Sequence, residues 1–105
     1  MFIAGVLAVT SFISVAAQDS AAIFNSKCAT CHGNDGTART AAGKKIGASD
    51  LREKEIVEMT DQEMFESIGR GVKHKKYPHS FLYTGLNEDQ VHGLVNYIRR
   101  LQQKK

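Results

Sequence analysis

The chain has 105 residues, with 14 Lys and Arg against 11 Asp and Glu and a formal net charge of +3. That mild balance, with no basic stripe interleaved with aromatic residues, excludes the electrostatic footprint of a nucleic-acid binder. Two cysteines permit a single cross-link of any kind, and one domain of this size buries only a marginal core unless a disulfide, metal or cofactor supplements it.

The first ionisable side chain is Asp19. Ahead of it, MFIAGVLAVTSFISVAAQ opens with an apolar run over 2–9, passes through Thr10, Ser11 and Ser14, and closes on Val15, Ala16 and Ala17, small residues that a signal peptidase accepts. The run falls short of the ~20 apolar residues that a membrane span needs. It reads as a secretory signal over 1–17 cleaved after Ala17, although no Lys or Arg precedes the run; an uncleaved anchor is the alternative. Residues 18–105 then form one domain, exported to the periplasm or another extracytoplasmic space.

Asp19 and Ser20 offer an N-cap for a short helix through Ala21, Ala22, Ile23 and Phe24 that runs into Cys28. Residues 33–49, rich in Gly, Thr, Asn and Ser, read as a loop. A short helix is expected within 51–59, around Ile56, Val57 and Met59. Thr60 and Glu63 match a capping box, which opens a helix through Phe65 and Ile68 that Gly69 and Gly71 end. A second loop over 72–86 holds Pro78, the only proline. Asn87 to Gln90 cap a last helix, where Val91, Leu94, Val95, Ile98 and Leu101 recur at helical spacing. Arg99, Arg100, Lys104 and Lys105 lie near its C-terminus, where cations favour the helix dipole. No segment alternates as a strand does. The fold class is all-α, with three to five short helices and two loops long enough to require an organising apolar ligand.

Both cysteines fall in KCATCHGNDGT, residues 27–37, and His32 directly follows the second. A redox disulfide in this spacing usually accompanies a βαβ pattern, and a structural zinc site needs a second ligand pair; the chain has no second CxxC or finger-spaced His pair, leaving His74 and His79 to serve. C-x-x-C-H is the covalent attachment sequence of c-type haem. Cys28 and Cys31 on one side of a helical turn add to the two vinyl groups of one porphyrin, and His32 lies beneath the iron as proximal ligand. Haem also supplies the apolar mass the core lacks.

With IFNSKCATCHGNDGT (23–37), MTDQEMFESIGRG (59–71) and GLNEDQVHGLVNYIRRL (85–101), the chain resembles the monohaem class I c-type cytochromes of bacteria over about residues 19–102. The resemblance implies a haem-wrapping helical fold, one covalent haem c, and an aromatic contact between the first and last helices that maps onto Phe24 and Tyr97. Two features depart from that family. No proline lies between 33 and 77 to supply the carbonyl that accepts the proximal histidine's ring N–H; a carbonyl of the 43–48 loop is expected instead. Where the family has Met-Pro for the sixth iron ligand, this chain has Tyr77-Pro78. His79 is the first candidate for that position, followed by Tyr77 or an open site, then Met59 or Met64, then Lys75 or Lys76. His74 and His92 are expected to face solvent, as are Arg39, Lys44 and Lys45.

The resemblance implies an electron carrier and no enzyme, with redox partner proteins, some presenting acidic docking surfaces to 73–77. It implies no nucleic acid, contact with a membrane only through an uncleaved anchor, and a monomer. The alternative is a haem protein whose open or labile sixth position binds a small gas or peroxide.

Overall fold

Val91, Leu94, Val95, Ile98 and Leu101 are all buried, so the apolar stripe read from the sequence is the seam on which the molecule is assembled. The computed structural model describes Gly5, residues 15–74 and residues 79–104, with the side chains of 15–18 outside the description. In chain order the elements are α1 (Val15–Lys27), α2 (Ala29–His32), α3 (Ala41–Ile46), α4 (Lys54–Val57), α5 (Asp61–Arg70), a 3₁₀ turn (Phe81–Tyr83) and α6 (Glu88–Gln103). The architecture is all-α, and the one-turn helices α2 and α4 bring the α-helices to six among the described residues.

α6 is the central element: α1 and α5 both pack on it, and the 3₁₀ turn packs on α5. Phe24 of α1 is wholly buried, with its ring centre 5.0 Å from that of Tyr97 in α6 and the planes tilted by 43°. That is the aromatic contact expected from the sequence.

The helix ends follow local chemistry. At α5 the Thr60 hydroxyl accepts the Glu63 backbone N–H while the Glu63 carboxylate accepts that of Thr60, and Asn87 and Gln90 repeat the exchange at α6. α5 closes at Gly71, whose φ of +72° is the left-handed cap that glycine adopts without a Cβ penalty. Gly69 lies inside α5 instead of ending it, and the Leu82 side chain occupies the space a Cβ would need.

Two boundaries differ from expectation. Asp19 and Ser20 lie within α1, not at its cap, because Ala16, Ala17 and Gln18 are good helix formers that carry the helix back to Val15. The expected 33–49 loop contains α3, N-capped by Thr40 and closed by Gly47 at φ +70°. Six residues including a glycine are too few to display a period. Among the described residues, no helix is long and apolar enough to cross a membrane.

Candidate functional site

Cys28 ends the run of α1, its N–H donating to the Phe24 carbonyl at 2.9 Å, and the His32 N–H in turn donates to the Cys28 carbonyl at 2.9 Å. The backbone therefore stays helical through the pentapeptide, so Cys28 and Cys31 share one side of a turn. Both are free, half-buried thiols. Burial pushes the Cys28 thiol up to about 11 against the opposing Lys27 ammonium, which keeps its sulfur uncharged.

His32 is 8% exposed. Its Nδ1 lies 2.8 Å from the Ser49 carbonyl oxygen. A carbonyl can only accept, so Nδ1 carries the hydrogen and Nε2 is left with a lone pair. Burial, and to a lesser degree His74, hold the imidazolium form below its ordinary range against the Ser49 bond. The acceptor lies one residue beyond the expected 43–48 loop, because α3 and the left-handed turn at Gly47 carry the chain past His32 before a carbonyl faces it.

α3 is tied to the cysteine turn at its other end. The Thr40 hydroxyl donates to the Thr30 carbonyl at 2.7 Å, lies 3.2 Å from the Cys31 carbonyl, and accepts the Gly43 N–H at 2.8 Å. One threonine thus caps α3 and fastens it to the backbone of the pentapeptide.

Cys28, Cys31 and His32 face a cavity of about 660 Å³, within the ~300–1,000 Å³ range of small-molecule and cofactor sites. Phe24, Leu94 and Ile98 contribute its apolar floor, while Met59 and Met64 stand on its wall. Met64 is buried, as expected of a core position, whereas Met59 is half-buried in the connection between α4 and α5.

Opposite His32 stands His79, with ring centres 6.2 Å apart and planes at 70°. Burial, then the neighbouring His74 and His32, lower the His79 imidazolium to about 4, so at neutral pH its ring keeps a lone pair. The structure thus brings His79 to the cavity. Tyr77, with Lys75, Lys76 and Pro78, lies outside the described residues.

His74 is not the solvated side chain expected from its KHKK surroundings. It is half-buried, lines the same cavity, and its ring centre lies 4.2 Å from that of His79. The flanking lysines masked a residue whose backbone turns inward after Gly71. His92 is exposed, as expected, and stacks on Phe65 at 4.3 Å. Arg39, Lys44 and Lys45 are also exposed.

The donor set has a definite chemical character. Two uncrosslinked thiols share a wall with a tautomer-fixed imidazole that offers its lone pair to a largely apolar cavity, and a second imidazole faces it. Such a site suits a flat, apolar, metal-bearing group joined to the chain at two points. Among the described residues, no three His, Cys, Asp or Glu side chains converge to hold a bare metal ion. The family model for cytochrome c matches residues 17–102. No curated protein sequence matches the chain.

Proposed function

The matched residues span most of the chain, which belongs to the cytochrome c family, and we propose that it is an exported single-haem electron carrier with its iron held between His32 and His79. The family's cofactor is covalently attached haem c, and the spacing of the two cysteines fits that attachment. In this reading Cys28 and Cys31 form the two thioether bonds and His32 Nε2 is the proximal ligand. When bound, the haem supplies one iron that passes between ferric and ferrous states.

The chain's own groups have distinct tasks. The Ser49 carbonyl fixes the His32 tautomer and ring orientation and raises its basicity as a ligand. Phe24, Leu94 and Ile98, which line the cavity, would keep water from a bound cofactor. No catalytic acid or base is required.

The single observation that carries the His79 assignment is the ring separation. With a first-row metal about 2.1 Å from an imidazole nitrogen and the ring centre about 1.1 Å beyond it, two imidazoles facing across one ion would have centres roughly 6.4 Å apart. His32 and His79 are 6.2 Å apart. Two imidazoles that hold one ion can be rotated freely about the line through it, so the observed interplanar angle of 70° would be compatible with that role.

Redox partner proteins follow from the family. Lys73 on the cavity wall and Lys27, whose Nζ lies 5.8 Å from the Phe81 ring centre, support docking of partners with acidic surfaces. The uncharged sequence ahead of Asp19 supports export to the periplasm or another extracytoplasmic space.

Spectra of both oxidation states test the reading. The ferric protein is expected to be six-coordinate and low-spin with the near-infrared charge-transfer signature of two imidazoles, and the ferrous protein is expected to ignore carbon monoxide. Imidazole in place of thioether also lowers the reduction potential relative to Met-ligated relatives. A high-spin iron that binds carbon monoxide would instead establish the gas- or peroxide-binding alternative, and a thioether band would transfer the sixth position to Met59 or Met64.

A further inference from the structure

Three imidazoles line the cavity, one more than two iron-binding positions would use. The His79 ring centre lies 6.2 Å from that of His32 and 4.2 Å from that of His74. An in-line N–H···N bond between two imidazoles would separate their centres by about 5 Å. The observed 4.2 Å with a 54° tilt is therefore ring-against-ring contact, which does not orient His79 as the Ser49 carbonyl orients His32.

The backbone aims His74 inward. After the left-handed cap at Gly71, Lys73 also has a positive φ, +61°, a conformation that is strained for a residue with a Cβ. Its Nζ pairs with Glu63 Oε2 at 3.5 Å and the His74 N–H donates to the Gly71 carbonyl at 3.3 Å. These contacts hold the start of the loop against the N-terminal turn of α5 and set His74 on the cavity wall beside His79.

We propose that His74 is a reserve sixth ligand, able to take the iron position when His79 leaves it, so that the loop after α5 carries two interchangeable imidazoles. This rests on the reading of His32 and His79 as the resident pair. His74 lines the same cavity as both, with its ring centre 4.2 Å from that of His79. His79 is meanwhile braced from its other side by Phe81, stacked at 5.3 Å and 22°.

The test uses holoprotein of wild type, His74→Ala, His79→Ala and the double variant, with haem attachment established by intact mass. Ferric near-infrared magnetic circular dichroism and electron paramagnetic resonance read the ligands, and carbon monoxide titration of the ferrous form reads vacancy. Wild type and His74→Ala are expected to share the two-imidazole signature. His79→Ala should keep that signature and exclude carbon monoxide, and only the double variant should bind it fully. Where His79→Ala gives no holoprotein, His79→Ser, which also leaves the ring's space open, replaces it. Carbon monoxide binding by the His79 variant alone overturns the reserve role and leaves the resident pair standing. Loss of the signature in His74→Ala overturns it by making His74 the resident ligand. A wild type without the signature, or a double variant that keeps it, removes the resident-pair reading and the reserve role with it.

Discussion

A methyl group at Gly43 would lie 2.1 Å from the Cys31 carbonyl oxygen, 2.9 Å from Thr40 Oγ1 and 3.0 Å from the Ala38 carbonyl oxygen. Two of these neighbours are backbone and cannot swing aside, so Gly43→Ala must push α3 off the cysteine turn. The expected cost is about 3 kcal/mol, the upper end for overpacking. The displacement also moves the Ser49 carbonyl away from His32. Denaturant unfolding of the holoprotein measures the first effect, and the proximal-ligand signals of the paramagnetic ferric protein measure the second. Unchanged stability and unchanged His32 signals in Gly43→Ala would show that α3 does not position the ligand. Thr40 gives a graded companion: Thr40→Ser keeps the hydroxyl that joins Thr30, Cys31 and Gly43, whereas removal of an N-cap hydroxyl costs about 1 kcal/mol.

Between α4 and α5 the chain is held by side chains of α6. Arg99 donates from Nε to Asp61 at 2.9 Å, from Nη1 to the Val57 carbonyl at 3.0 Å and from Nη2 to the Met59 carbonyl, while Gln102 Nε2 donates to the Leu51 carbonyl at 2.8 Å. Arg99 thus joins two segments far apart in sequence, beyond the dipole role its position near the helix end suggests. Arg99→Ala is expected to cost about 1–2 kcal/mol, mainly through the two carbonyls. The pair with Asp61, whose side chain is 70% exposed, adds little. Arg99→Lys should recover only part of the loss, because one ammonium cannot reproduce the guanidinium fork. A denaturation midpoint equal to that of wild type in Arg99→Ala would refute the strap. The same elements show what a sequence can disclose. The Thr60–Glu63 and Asn87–Gln90 caps, the stripe of α6 and the Cys28–Cys31–His32 spacing were legible because each is a side-chain pattern within one turn or one period. α3 is too short to show periodicity, and the Ser49 acceptor is a backbone atom that any residue carries. His74 needed the turns at Gly71 and Lys73, conformations that its lysine-rich setting does not announce.

At the scale of the whole molecule, several residues of the packed core also face the cofactor cavity. Phe24, Met64, Leu94 and Ile98 are counted in the hydrophobic core, yet all four also line the 660 Å³ space. At about 24 cal/mol per Å³, a rigid dry cavity of that size would cost on the order of 16 kcal/mol, as much as the whole ~5–15 kcal/mol by which domains are stable. The cavity is partly open, so the figure is an upper bound; its direction is that this packing is weakened without haem. Haem-free chain, made as Cys28→Ser/Cys31→Ser or in a host without haem-attachment machinery, is therefore expected to lose its cooperative thermal transition. The α1–α6 contact at Phe24 and Tyr97 lies outside the proximal turn and retains its own apolar partners, so part of the helix signal should survive. Far-ultraviolet circular dichroism should fall only in part, while near-ultraviolet ellipticity disappears and the chain binds a hydrophobic dye, the observables of a compact state without fixed packing. A haem-free chain that melts cooperatively with the full helical signal of the holoprotein would show that the polypeptide closes this core unaided, and that the cofactor is a guest in the fold instead of its centre.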